Sequence, residues 1–247
     1  MVTPVLTILL GVDFHYAIGA TLVSVIATSS GAAATYVKEG FSNIRAGMLL
    51  EIATTLGAVA GAHLTAAVPA SALAVIFGIV LSYSAWHSLE RPREAKPAPA
   101  EPLAIRLKLD GTYPGPEGPV HYHVSHIRTG FGLMFGAGLL SGLLGIGSGA
   151  MKVVAMDQVM RIPFKVSTTT SNFMIGVTAA ASAGIYLQRG YIDPGLAMPV
   201  MLGVLAGSFL GARVLPKAKS NVLRHVFGIT VGVLAIEMVY HGLTGRI

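Results

Sequence analysis

The chain has 247 residues, of which 53% are hydrophobic and 11% charged, and its formal net charge is +6. Ordinary soluble domains have roughly a quarter charged residues, so this composition excludes a typical soluble globule and indicates a membrane protein. The absence of cysteine excludes disulfides and thiolate metal sites. The basic residues fall between apolar stretches, where they set membrane topology, so no nucleic-acid partner is expected.

Long apolar stretches follow one another along the chain, and most reach the roughly 20 residues that a helix needs to cross a bilayer. In chain order they are Tyr16–Tyr36, Ala46–Val68, Ala70–Leu89, Thr129–Leu144, Val166–Leu187, Gly195–Leu215 and Asn221–Tyr240. No basic residue precedes the first stretch, so no signal peptide is predicted. These patterns predict a polytopic, all-α protein with the lipid bilayer as its surroundings.

The second half of the chain repeats the first at an offset of 150 residues without a gap. Aromatic residues and glycines keep this register in the pairs Phe14/Phe164, Thr28/Thr178, Tyr36/Tyr186, Gly40/Gly190, Met48/Met198, Gly57/Gly207 and Phe77/Phe227. Many secondary transporters consist of such duplicated membrane units, with the substrate held where the copies meet. We therefore expect two membrane repeats, 1–89 and 129–247, joined by a linker, 90–128.

The linker is Pro-rich and charged, and it holds six of the seventeen Lys and Arg residues, which predicts a cytoplasmic location. If residues 129–160 cross the membrane once, most basic residues of the second copy lie outside. If residues 129–160 enter and leave the membrane on the cytoplasmic side, most basic residues of the second copy lie inside. The second arrangement agrees better with the positive-inside rule. It predicts two inverted repeats of three spans each, with a re-entrant broken helix before the second repeat.

Two features of the chain leave alternatives open. The first copy has no counterpart of this broken helix, which is consistent with a misassigned start codon, a truncation or a natural variant. The linker histidines His121, His123 and His126 have a spacing that could hold a metal weakly, but a basic membrane-proximal segment is the favoured interpretation. No metal or other cofactor is expected.

Closely spaced glycines interrupt the apolar stretch before the second copy, at Gly145, Gly147 and Gly149, with Ser148 among them. Glycine costs a helix up to about 1 kcal/mol relative to alanine, so the helix should break here. Broken backbone at membrane depth must be buried in protein or line a cavity. Lys152 follows at the start of the next half-helix, which would favour an anion. The alternatives are a close-packed turn without ligand, and a lysine that reaches the interface along its stem.

Hydroxyl and amide side chains form a run at the start of the next stretch, 167–172. Thr169 and Asn172 share one helix face there and are the preferred anion-binding pair, with Thr21 and Ser24 as candidates in the first copy. Hydrogen bonding to main-chain carbonyls is the alternative. Glu51 and Asp157 could carry a coupling proton, although solvation at the interface explains both equally well.

The chain resembles the TauE/SafE sulfite exporter-like family. The resemblance lies in Gly142–Gly149, in Thr168–Ser171, in Gly190-Tyr191-Ile192-Asp193 and in the small residues from Gly203 to Gly211, with echoes in the first copy. It covers nearly the whole chain apart from the linker. It implies a protein of the bacterial inner membrane that moves small sulfur-containing or carboxylate anions, coupled to a proton or sodium gradient. The direction of transport, the anion and a homo-oligomeric state remain open.

Two other classes of function are alternatives to a transporter. The missing first hairpin is consistent with a passive anion channel or a non-transporting subunit. An intramembrane serine protease would need Gly-x-Ser-Gly, whereas Ser148 follows Ile146 and Gly147, and no His-Glu-x-x-His zinc site is present. The glycine string also matches a loose dinucleotide fingerprint, but the strand and acidic residue that this fingerprint requires are missing.

Overall fold

The computed structural model describes residues 2–38, 40–89, 101–115, 118–145, 147–214 and 220–244. Its α-helices are α1 (Val2–Pro4), α2 (Phe14–Lys38), α3 (Ile44–Leu64), α4 (Ala70–Leu89), α5 (Pro102–Arg106), α6 (Ile127–Leu144), α7 (Gly149–Val154), α8 (Phe164–Gln188), α9 (Pro194–Val214) and α10 (Ser220–Leu243). Two π-helical turns, Val5–Leu9 and Ala155–Val159, extend α1 and α7, and a 3₁₀ turn, Thr65–Ala67, extends α3. The prediction of a mostly helical protein is confirmed.

The described helices differ in how uniformly apolar they are. Two stretches, Ile44–Ala67 and Ile127–Leu144, are both long and apolar enough to cross a membrane. Shorter apolar stretches lie within four longer helices, at Phe14–Ser30, Ala70–Tyr83, Pro194–Leu210 and Gly228–Leu243. These four helices contain 20 to 25 residues each, so every one has the length of a span.

The linker contains folded structure that the sequence did not predict. Strands β1 (Gly111–Gly115) and β2 (Gly118–Tyr122) pair antiparallel, with Gly111 opposite Tyr122. Residues 90–100, with Arg91, Arg93 and Lys96 of the predicted basic segment, lie outside the described residues. The linker therefore adds a small two-stranded sheet to a mostly helical protein.

Side-chain hydrogen bonds attach the linker to the helices at Asn43. The Asn43 Nδ2 donates to the Leu109 carbonyl at 2.7 Å and to the Tyr122 hydroxyl at 2.8 Å, while its Oδ1 accepts from the Ala46 amide and caps α3. Burial raises the pKa of Tyr122 to about 12, so this hydroxyl stays neutral. The predicted cytoplasmic linker and the loop before α3 thus lie on the same side of the molecule.

The backbone repeats with the sequence offset of 150 residues. Helices α2 and α8 begin at Phe14 and Phe164, and the loop glycines Gly40 and Gly190 share a φ of +73°. Helix α2 packs on α8, and α4 packs on α10. The contact of α2 with α9 also has its counterpart in the contact of α8 with α3. Exchanging the two copies therefore leaves this set of contacts unchanged.

Helices α2 and α8 run in opposite directions. Asn43 follows the end of α2, and its main-chain amide donates to the Thr170 hydroxyl near the start of α8 at 2.9 Å. At the other end, Gly19 of α2 lies against the backbone of Tyr191, which follows α8. The end of one helix is thus beside the start of its counterpart.

Helices α6 and α7 form a hairpin whose two ends meet. The Ser125 amide, just before α6, donates to the Met160 carbonyl, just after the π-helical turn, at 3.1 Å. The Met160 side chain lies against Gly130 in the first turn of α6. The chain therefore returns to the level at which α6 started, and α8 begins on that side.

Glycines bring α3 and α6 into backbone contact. A Cβ at Gly57 or Gly61 would meet the backbone of α6, and one at Gly138 or Gly142 would meet the backbone of α3. Small residues allow such close approach between membrane helices. Gly57 and Gly61 thus serve helix packing, whereas Gly207, the equivalent of Gly57 on α9, has nothing within 4 Å.

Alanine at Gly142 is expected to destabilise the protein by about 1–3 kcal/mol, because its Cβ would collide with the Ala58 carbonyl and push α3 from α6. The matched control is Gly136→Ala on the same helix, where nothing lies within 4 Å of the added carbon. Thermal melting in detergent should show a clear drop for the first variant and none for the second. Equal melting temperatures would contradict this packing.

Candidate functional site

The chain leaves helical geometry between α6 and α7, as the glycine spacing predicts. Helix α6 ends at Leu144, and Gly145 and Gly147 take left-handed φ values of +65° and +74°. Ser148 is also left-handed, with φ 42°, and α7 begins at Gly149. Only glycine adopts such values without strain, so the two glycines permit the turn and Ser148 carries a conformational cost.

Protein groups surround this break and satisfy part of its backbone. The Ser171 hydroxyl of α8 donates to the Gly149 carbonyl at 3.1 Å. The Tyr186 hydroxyl donates to the Gly142 carbonyl at 3.1 Å and also lies 3.1 Å from the Thr65 hydroxyl. Irregular backbone at membrane depth requires such internal partners. Gly145, Gly147 and Ser148 of the break are therefore buried between the two copies.

Lys152, one turn after the break, is completely buried, with 0% of its surface exposed. Its Nζ donates to the Thr178 Oγ1 of α8 at 2.5 Å and lies 3.9 Å from the Glu51 Oε2 of α3. The Thr178 hydroxyl in turn donates to the Glu51 Oε1 at 2.6 Å. The hydroxyl thus bridges a buried ammonium and a buried carboxylate that come from different halves of the chain.

Glu51 is 7% exposed and lies about 10 Å along α3 from its first residue, at 1.5 Å per residue. Its Oε1 also accepts from the Thr55 hydroxyl at 3.1 Å. Its Oε2 is buried and accepts no hydrogen bond within the part of the chain that the structure describes. Removing two charges from water is costly and is offset only when the charges stay paired. Lys152 and Glu51 therefore depend on each other.

The alternative interpretations of two predicted residues do not fit this arrangement. Lys152 does not reach the interface along its stem, because its side chain is enclosed and paired. Interfacial solvation does not account for Glu51, because that side chain is buried too. The bridging residue Thr178 was not among the predicted site residues, although the Thr28/Thr178 pair marked its position in the repeat.

Two hydroxyls near the break add unused hydrogen-bonding capacity. Within the described ranges, the buried Ser148 Oγ in the break and the buried Ser141 Oγ in the last turn of α6 make no hydrogen bond. Buried polar groups are normally paired, so each such group requires an explanation. Both hydroxyls belong to the hairpin that carries Lys152, which makes the break and Lys152 the candidate functional site.

The predicted pair Thr169 and Asn172 lies nearer the start of α8. The Thr169 hydroxyl donates to the Phe41 carbonyl at 2.9 Å, which fastens α8 to the loop after α2. Asn172 is half-buried. Thr169 thus has a structural role that the run of hydroxyls alone did not reveal.

The remaining predicted residues occupy buried positions. Thr21 and Thr3 share a hydrogen bond of 2.9 Å between their hydroxyls, and Ser24 donates to the Ala20 carbonyl. Asp157, in the π-helical turn after α7, is 8% exposed. The described residues include no group of three or more side chains that could hold a metal ion.

The long helices, their apolar composition and the break buried between two similar halves define a helical membrane protein. Within that class, the chain belongs to the sulfite exporter TauE/SafE family, whose model matches residues 1–238. The resemblance seen in the sequence is therefore confirmed. No solved structure matches the chain.

Curated relatives carry the names of membrane transporters. The probable membrane transporter protein YunE of Bacillus subtilis is 25% identical over 228 residues, which cover 92% of this chain and 81% of that protein. The probable membrane transporter protein YdhB of the same bacterium is 25% identical over 97% of this chain and 90% of its own length. A probable membrane transporter protein of Xylella fastidiosa is 24% identical over 97% of this chain and 86% of its own length.

Proposed function

We propose that this protein is a secondary transporter that moves small anions, such as sulfite, organosulfonates or carboxylates, across the bacterial inner membrane. The observation that carries the proposal is the fully buried Lys152 beside a broken helix at the contact between the two halves. Ionisable groups inside membrane proteins are expensive and usually functional. The family and the named relatives support a role in transport and not in catalysis.

The proposed architecture is a pair of inverted repeats of three spans each with a re-entrant hairpin. It is supported by the opposite directions of α2 and α8 and by the hydrogen bond that joins the two ends of the hairpin. Transporters of this construction hold substrate near the midplane, beside discontinuous helices. The break before α7 has that position in the proposed arrangement.

The anion would bind Lys152 together with groups of the break. The Ser148 and Ser141 hydroxyls offer donors that the described protein leaves unused. Thr178, which already contacts the ammonium, would remain beside it. Because Lys152 is enclosed, an anion reaches it only after the hairpin and α8 separate, which is the behaviour of a carrier and not of an open pore.

A thermal-shift screen tests this function on the purified protein, with sulfite, sulfate, thiosulfate, sulfonates and small carboxylates as probes. A ligand that binds only the folded state at 100 times its Kd stabilises that state by about 2.7 kcal/mol. We expect at least one of these anions to raise the melting temperature in a saturable manner. The exposed Lys165, changed to Gln, should leave that shift unaltered. A screen in which no anion shifts the transition would contradict the proposal.

A further inference from the structure

We propose that the site binds one proton on Glu51 for each monovalent anion that it binds at Lys152, so that anion and proton are carried together. The inference rests on the proposed function and adds to it the coupling ion and the charge of the substrate. It starts from the observation that the cation expected to attract the anion is already occupied by a carboxylate of the same chain.

When both groups are ionised, the buried charges cancel. Lys152 contributes one positive charge and Glu51 one negative charge, and the Thr178 hydroxyl bonds to both. An anion that joined this pair would leave one uncompensated negative charge in a buried site. A proton that joined Glu51 without an anion would leave one uncompensated positive charge. An unpaired buried charge is strongly unfavourable, so each of these half-loaded states is disfavoured.

Binding both ligands restores neutrality. The proton adds to a Glu51 carboxylate oxygen and forms an O–H bond, and the anion replaces that carboxylate as the partner of the Lys152 ammonium. No other bond forms or breaks. Because each ligand makes the other favourable, each raises the affinity for the other by the same factor. A divalent anion would need a second compensating charge, so the site favours monoanions such as sulfonates and carboxylates.

Among the described residues, no cation other than Lys152 forms an ion pair with Glu51. Helices α6 and α8 pack against α3, and their charged residues Arg128 and Lys165 lie in their first turns. Lys152, the cation that pairs with Glu51, lies on α7. Asp157, the other acidic group of the hairpin, is in the turn that follows α7. In the linker that covers the start of α3, Asp110 and His123 pair with each other.

The coupling can be measured as proton uptake by the purified parent protein. Ethanesulfonate, whose charge is constant near neutral pH, is titrated calorimetrically in two buffers that differ in ionisation enthalpy. The difference in heat gives the protons taken up, and we expect about one per bound anion. Sulfate, with a similar head group but two charges, should bind more weakly. Ethanesulfonate binding without proton uptake would overturn the inference.

Glu51→Gln separates this inference from the proposed function. The amide keeps the shape of the side chain but cannot form a carboxylic acid, so the infrared signal of a protonated Glu51 that ethanesulfonate should induce in the parent should be missing in the variant. In proteoliposomes the variant should lose accumulation driven by a pH gradient. A parent protein that binds ethanesulfonate without that infrared signal would overturn the coupling role of Glu51 alone. Binding of sulfate but not ethanesulfonate to the parent would also overturn the inference while leaving an anion carrier, whereas no anion binding at all would overturn both.

Discussion

Lys152→Gln is expected to destabilise the protein by about 3–5 kcal/mol, because it leaves the Glu51 carboxylate buried without its cation. The double variant Glu51→Gln, Lys152→Gln removes both charges and should recover most of that loss. The amide at position 51 has nearly the volume of the carboxylate it replaces, and the amide at position 152 is one atom shorter than lysine but leaves no charge buried. Thermal or denaturant unfolding in detergent measures both effects.

The double variant also separates folding from binding. It should be folded, yet it should show none of the stabilisation that anions give the parent, because the ammonium that attracts them is gone. Lys165→Gln is the control for removing a positive charge from an exposed position. If the double variant is as unstable as Lys152→Gln, or if it responds to anions like the parent, the assigned role of the ion pair is wrong.

Thr178→Val is expected to cost about 2–4 kcal/mol, since valine keeps the shape but removes the hydroxyl between two buried charges. The Lys152 ammonium loses an acceptor and the Glu51 carboxylate loses a donor. Hydrogen bonds to charged groups contribute about 1.5–3 kcal/mol each, and such networks are partly cooperative. The free energy of unfolding, measured by denaturant titration, tests the expectation.

The repeat provides a matched control for this variant. Thr28 occupies the equivalent position on α2, and its hydroxyl bonds only to carbonyls of its own helix, at Ser24 and Val25, in the described structure. Thr28→Val should therefore change stability by less than about 1 kcal/mol. Similar losses at the two positions would show that Thr178 acts as an ordinary helix hydroxyl and not as a bridge.

The sequence predicted the helices and the break because both depend on local chemistry. Apolar stretches of span length gave the helices, and alternate glycines at 145, 147 and 149 marked the point where α6 ends. The packing face of α3 is local in the same sense, since Gly57 and Gly61, four residues apart, both meet α6. These signals lie within a few residues of the structure that they describe.

The ion pair could not be predicted in the same way. Lys152 and Glu51 are about 100 residues apart, and their contact requires α3, α7 and α8 to meet in the folded protein. No local pattern distinguishes Glu51 from a carboxylate at an interface. The one available signal was the Thr28/Thr178 repeat pair, which marked Thr178 without indicating what it contacts.

The role of the hydroxyl run could not be read from the sequence for a related reason. Threonine and serine in helices commonly bond to the carbonyl four residues earlier, as Thr168 does to Phe164. Thr169 lies within hydrogen-bond distance of the Lys165 carbonyl in the same way but also reaches the loop after α2. Nothing in the spacing 167–172 separates these uses from substrate binding. The small sheet in the linker was missed because its strands contain glycine and proline, which are depleted in ordinary strands.

Labelled-anion counterflow in proteoliposomes tests the central claim most directly, because it requires an anion site that alternates between the two sides. The labelled anion is one that stabilises the parent in the thermal-shift screen. With unlabelled anion inside the vesicles, the parent protein should accelerate uptake of the labelled anion from outside, and the folded double variant Glu51→Gln, Lys152→Gln should not. Equal acceleration by the double variant, or a parent that conducts anions without any effect of internal anion, would contradict a carrier built around Lys152.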